Sequence, residues 1–145
     1  MAVNKGGAKT IDAGGEENLF VYGTLRRGYA HRFAHWLEEK AHFVGPGRMR
    51  GRLYRIRSYV GLVPSKAGDE WVRGDVYHLK RPAEIYRVLD EYEGCGPNDA
   101  QPHEFGRTVL PVILESDRVQ MASVYVYQRR IGGEQQILSG DFLAQ

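Results

Sequence analysis

Two hydrophobic periods alternate along this chain, and the places where they switch mark its elements. Leu19 to Tyr22 is an unbroken apolar and aromatic run that stops at Gly23, and it reads as a short strand. Beyond Gly28 the interval lengthens. Phe33, Trp36 and Leu37 recur at helical spacing and predict a short helix over Ala30–Lys40. After the break at Gly45-Pro46-Gly47 the period returns to two. Met49, Gly51 and Leu53 share one face of a strand over Arg48–Ile56, and Arg50, Arg52 and Tyr54 share the other. Tyr59 to Val63 is a second short apolar run, closed by Pro64. A strand over Trp71–Leu79 sets Val72, Gly74, Val76 and His78 opposite Trp71, Arg73, Asp75 and Tyr77.

Pro82 then opens a helix at a position where its missing N–H costs little. Its apolar stripe is Ile85, Val88, Leu89 and Tyr92, and Gly94-Cys95-Gly96-Pro97 ends it. A polar loop follows. Strands over Phe105–Leu114 and Val119–Gln128 form a hairpin about the turn Glu115–Arg118, and Ile131–Gln145 is a loop with a short terminal segment. Several strands with two short helices predict an α+β fold: a small, barrel-like mixed sheet with two flanking helices. Polar, glycine-rich residues 1–18 are expected to be a flexible extension, and 19–145 to be one domain.

Composition narrows the function classes. A net charge of +2, with the arginines spread along the chain, gives no argument for nucleic acid. No run reaches the roughly 18 apolar residues of a membrane helix, and the first residues lack the apolar core of a secretory signal. The one cysteine, Cys95, permits neither an internal disulfide nor a thiolate zinc set. A cytoplasmic protein acting on a small molecule, without nucleic-acid or membrane partners, is the expectation.

Three places could carry chemistry. Val21–Gly28, reading VYGTLRRG, takes a strand through a glycine turn towards a helix. Such a turn leaves backbone N–H groups free to hold a carboxylate or an oxyanion. An ordinary strand-to-helix connection would read the same way. Arg26 and Arg27 beside it are tempting as carboxylate anchors, but adjacent side chains of an extended segment leave on opposite sides, so they are expected to matter less than Gly23. Leu89–Gly94, reading LDEYEG, ends the second helix with Asp90, Glu91 and Glu93. At helical spacing Glu93 falls nearest the apolar stripe, where desolvation would raise its pKa and suit it to proton transfer. A solvated acidic helix end is the plainer alternative. Cys95 with one of five histidines is a third candidate, and His31 with His35 could contribute to a metal site that lacks an evident third ligand.

The two segments together are more specific than either alone. VYGTLRRG followed some 65 residues later by LDEYEG resembles the γ-glutamylcyclotransferase-like superfamily, in its AIG2-like and γ-glutamylamine cyclotransferase branch. Gly51–Tyr54 (GRLY), Val72–Tyr77 (VRGDVY), Ala122–Tyr127 (ASVYVY) and Ile137–Phe142 (ILSGDF) support the likeness over Leu19–Phe142. The resemblance implies one pocket, with Tyr22, Gly23, Thr24 and Leu25 holding substrate through backbone groups and Glu93 as the catalytic acid/base. The implied activity is release of 5-oxoproline from a small γ-glutamyl amine or amide, with no metal or cofactor. The chain departs from the family at Val60, where proline is common, and at Phe105, where tyrosine is common. A binding module that kept the pocket without turnover, or a γ-glutamyl acyl-transfer or hydrolase enzyme using Cys95, are the competing expectations.

Overall fold

The computed structural model describes residues 15–144. In chain order the elements are β1 (Glu17–Val21), α1 (Arg32–Lys40), β2 (His42–Arg55), β3 (Val60–Pro64), β4 (Trp71–Leu79), α2 (Pro82–Tyr92), β5 (Phe105–Leu114), β6 (Val119–Tyr127) and β7 (Gln135–Gln136). A 3₁₀ turn over Phe142–Ala144 follows. The strand order is β3-β2-β4-β1-β6-β5, and β2 also pairs with β5. That last pairing closes β2, β4, β1, β6 and β5 into a five-stranded barrel, with β3 and β7 attached to the far end of β2. All pairs are antiparallel except β1 with β6, which run parallel at Leu19 and Ser123.

The barrel explains the Leu19–Tyr22 run. Phe20 and Tyr22 point to the interior, among Met49, Val72, Val76, Val112 and Val124. Leu19 and Val21 point outwards, under the helices, among Leu37, Tyr77, Leu79, Ile85 and Leu89. A strand covered on both faces has no polar face to alternate with. The same applies to the second half of β4. Asp75 and Tyr77 share the face opposite Val76, yet both are buried, because the outer face is roofed over there.

Several boundaries differ from the pattern of hydrophobic residues. β1 starts at Glu17, so Glu17 and Asn18 belong to the sheet, opposite Leu79 and His78, and not to an extension. Residues 1–14 of that expected extension lie outside the described residues. Gly45-Pro46-Gly47 is no break: β2 is continuous across it, with a bulge between Phe43 and Gly45. A bulge consumes one residue and bends the strand, which is what a small barrel needs from its longest strand. α1 begins two residues later than its periodicity suggests, because His31 is its N-cap, with Nδ1 accepting the Phe33 N–H at 3.2 Å. In α2, Tyr86 rather than Val88 completes the buried face, its hydroxyl donating to Glu17 at 2.7 Å.

Candidate active site

The C-terminal ends of β1 and α2 meet at one cavity of about 570 Å³. Its walls include Tyr22, Gly23, Thr24 and Leu25 from the turn after β1, Tyr29 to His31 before α1, Tyr92 to Gly94 from the end of α2, Ser58 to Val60 before β3, Glu104 and Phe105 at the start of β5, and Tyr125 of β6.

The turn is fixed from both sides. Tyr22 reaches across the barrel interior. Its hydroxyl donates to the Tyr125 carbonyl at 2.6 Å and accepts the Leu62 N–H at 3.0 Å, tying β1 to β6 and β3. Burial, then the nearby charge of Glu93, raises the Tyr22 phenol far above its ordinary range, so it stays protonated. Downstream, the Gly23 carbonyl accepts the Arg26 N–H at 3.0 Å. Asp75 of β4, buried, accepts the Arg27 N–H at 2.9 Å and Arg26 Nε at 3.2 Å. Arg26 Nη1 donates in turn to Asp141 at 2.7 Å. Leu25 anchors the turn in the outer core. Between these anchors the N–H groups of Gly23, Thr24 and Leu25 take no acceptor among the described residues. Gly23 is needed for closeness: a Cβ there would meet Val60 Cγ2 at 3.1 Å.

The two arginines after the turn stand apart from the cavity. Neither Arg26 nor Arg27 lines this cavity. Arg26 is spent between two aspartates, and the Arg27 guanidinium lies over the Phe43 ring at 4.4 Å on another face.

The LDEYEG segment forms a helix terminus whose bonds are all accounted for. The Glu93 N–H donates to the Leu89 carbonyl at 2.8 Å, that of Gly94 to Glu91 at 3.1 Å and that of Cys95 to Asp90 at 2.8 Å. This is a Schellman ending, with Gly94 left-handed at φ +77°, a conformation that favours glycine. The cap sets Glu93 as the last residue of the helix, facing the cavity. Its carboxylate accepts no hydrogen bond among the described residues. Burial, reinforced by the charge of Asp90, pushes its pKa up to about 7. Asp90, three residues earlier, does not point away as the helical phase suggests. It accepts the Tyr125 hydroxyl at 2.6 Å and both Nε and Nη2 of Arg107 at 3.0 and 3.1 Å.

Three lining residues, Tyr59, Tyr92 and Glu104, were not singled out by the sequence as site residues. Thr24 Oγ1 and the Tyr92 hydroxyl are hydrogen-bonded at 2.7 Å, joining the two motifs directly, and His31 Nε2 stands 3.4 Å from the same hydroxyl. Tyr59 donates to the Glu104 carboxylate, 2.8 and 2.9 Å from its two oxygens. Tyr59 and Glu104 are isolated residues in loops, and only the fold brings them together. Tyr92 was legible only as part of an apolar stripe.

Cys95 sits outside the cavity lining. Burial and the charges of Asp90 and Glu93 push its thiol up to about 11. His31 is occupied as a helix cap. Among the described residues no three His, Cys, Asp or Glu side chains gather as metal ligands.

The family model for γ-glutamyl cyclotransferase, AIG2-like, matches residues 19–144. The chain belongs to this family. It is 33% identical over 111 residues to the human protein named γ-glutamylaminecyclotransferase, covering 69% of this chain and 64% of that one. It is 30% identical to the γ-glutamylcyclotransferase family protein YtfP of Escherichia coli, covering 86% and 95%. Among solved structures, an AIG2-like protein from Mus musculus superposes with a TM-score of 0.62 at 25% identity, over 81% of this chain and 80% of that one. The closed barrel with two helices is the fold of these relatives, and the cavity opens where the YGTL and LDEYEG segments meet.

Proposed function

We propose that this member of the family releases 5-oxoproline from a small γ-glutamyl amine or amide, with Glu93 moving the proton and the Gly23–Leu25 amides holding substrate. One observation carries the reading. The cavity holds one carboxylate, raised to about 7, that has no hydrogen-bond partner among the described residues, and it shares that cavity with backbone N–H groups that likewise have none among them.

A γ-glutamyl compound brings its own nucleophile, the α-amine, so the protein has no covalent step to perform. Its task is to fold the substrate so that amine and γ-carbonyl meet, which converts chain flexibility into effective molarity. The amine nitrogen attacks the γ-carbon, a new C–N bond closes the five-membered ring, and the carbonyl electron pair moves to oxygen. The Glu93 carboxylate takes the proton that the attacking nitrogen sheds. It returns that proton to the leaving nitrogen as the original amide C–N bond breaks. The products are 5-oxoproline and a free amine. Atoms balance without water, oxidant or a second substrate. A carboxylate near pKa 7 suits both halves, since it must be deprotonated at the start and a fair acid midway.

The turn suits the substrate's anionic end. Fixed amide dipoles bind a carboxylate or oxyanion without the entropy cost of immobilising a long side chain. Arg26 stays in its ion pairs. The thiol route finds little support: Cys95 is off the cavity and its pKa of about 11 leaves almost no thiolate at neutral pH. A pocket that binds without turnover needs no carboxylate so perturbed, at some cost to stability.

The test is a panel of γ-glutamyl amines, amides and dipeptides incubated with the protein and assayed for 5-oxoproline. Release from at least one compound is expected. Binding of 5-oxoproline with no release from any compound would favour the binding module.

A further inference from the structure

Resting on the cyclotransferase reading, we propose that Glu104 and Tyr59 form the leaving-group subsite, and that they select leaving amines carrying a positive charge of their own, such as diamines. The starting point is the charge of the cavity wall. Apart from His31, the ionisable side chains that line it are acidic or phenolic, and no lysine or arginine is among them. Glu93 serves the proton transfer. Glu104 has no part in it, yet its carboxylate is largely buried at the lining, 23% exposed.

Topology places Glu104 across the cavity from the turn. β6 lies between β1 and β5 in the barrel, and its last residue, Tyr127, is paired with Phe105. The turn after β1 and the start of β5 both line the cavity, with β6 between them. Two strand spacings are about 10 Å. A γ-glutamyl group held by its α-carboxylate at the turn spans roughly half of that, so its amide substituent extends towards β5. There it meets the edge-to-face rings of Tyr59 and Phe105, whose centroids are 5.9 Å apart, and then the Glu104 carboxylate.

Tyr59 holds that carboxylate in place with one hydroxyl and supplies no charge to match it. The nearest cation, Arg129 Nη1, lies 4.0 Å from Glu104 Oε2 on a half-exposed side chain, too loose and too solvated to quench it. The charge of Glu104 is thus left for a ligand. An aromatic wall ending in a carboxylate fits an alkyl chain that ends in an ammonium group. It repels a leaving group that ends in a carboxylate.

The experiment compares three γ-glutamyl compounds of similar length with the full chain: the derivative of 1,4-diaminobutane, that of pentylamine and that of 4-aminobutyrate. kcat/KM for 5-oxoproline release is expected to favour the cationic compound over the neutral one by about tenfold, with the anionic one slowest. Glu104→Gln, which is nearly isosteric, should collapse the cationic-to-neutral ratio to within about threefold. Raising ionic strength should shrink the parent's ratio. Equal rates on all three compounds overturn the subsite and leave the cyclotransferase reading standing, as does preference for the anionic compound or a ratio unmoved in Glu104→Gln. No 5-oxoproline from any of the three overturns the underlying reading and the subsite with it.

Discussion

Asp90 and Glu93 lie three residues apart on the last turn of α2, and the fold treats them in opposite ways. Asp90 is surrounded by donors: the Tyr125 hydroxyl and two nitrogens of Arg107, which also lies over the Tyr86 ring at 3.8 Å. Glu93 is given a cavity, a neighbouring negative charge and, among the described residues, no donor. The first arrangement stabilises a carboxylate and joins α2 to β5 and β6. The second destabilises one and leaves it reactive. Sequence proximity says nothing about which is which. Three residues at 100° each leave the two side chains only about 60° apart around the helix, so what separates them is what stands opposite: Tyr125 and Arg107 for Asp90, the cavity for Glu93.

Exchanging these roles is the severest test of the contrast. Glu93→Gln should lower kcat by at least about 100-fold, the usual scale for removing a general acid/base, while circular dichroism shows an intact fold. The same variant should be more stable than the parent at pH 8. The folded-state pKa of Glu93 is raised above its unfolded value near 4.5, so the folded form binds the extra proton and the carboxylate opposes folding. That cost is absent below about pH 4.5, grows as pH rises and is complete above about 7, where it is of the order of 3 kcal/mol. Urea titrations of both proteins at pH 4 and pH 8 should show the difference only at the higher pH. If Glu93→Gln is less stable at pH 8, the carboxylate has a partner after all.

Asp90→Ala should do the reverse. It strands the Arg107 guanidinium and the Tyr125 hydroxyl, and a loss of about 2 kcal/mol in urea titration is expected, with chemistry affected second. The finer variant is Asp90→Asn. Removing the charge that helps raise Glu93 should move the acidic limb of the kcat/KM–pH profile from about 7 towards lower pH. A limb that stays in place would mean that burial alone sets the Glu93 pKa.

The turn after β1 extends the comparison to backbone. Gly23→Val should lower affinity for 5-oxoproline by at least about tenfold in isothermal titration, since even its Cβ is crowded against Val60. Arg26→Ala should cost mainly stability, because it leaves the buried Asp75 with fewer partners. A variant at Arg26 that keeps its Tm and loses 5-oxoproline would make the arginine a ligand-binding group. The smallest effect is expected at Cys95→Ser, whose turnover should remain within about twofold of the parent.

How much of this was legible before the fold was known depended on how local the cause was. Gly94 and the end of α2 follow from a short-range rule: a helix that must stop in a left-handed residue takes glycine there. The YGTL turn was legible for the same reason, as a strand running into glycine. The burial of Asp75 and Tyr77 could not be read from the pattern, because periodicity separates two faces of a strand without saying that both are covered. Gly45-Pro46-Gly47 looked like punctuation because a bulge and a loop share their residues. Tyr59, Glu104 and the Thr24–Tyr92 hydrogen bond had no local cause at all. They are consequences of barrel closure, and closure is written in pairings such as β2 with β5 that leave no mark in any one segment.

The Tyr22 hydroxyl, which links the amide of Leu62 to the carbonyl of Tyr125, has a consequence for assembly. It joins residues 103 positions apart, and β1 meets β6 across a similar distance. While the chain is being synthesised, the turn that holds the free amides has no wall behind it until β6 has emerged, however early β1 and its neighbours have paired. Long-range closures of this kind are slow, because loop entropy is lost before the contact repays it. The turn after β1 is therefore among the first segments of the barrel to be made and among the last to be walled in.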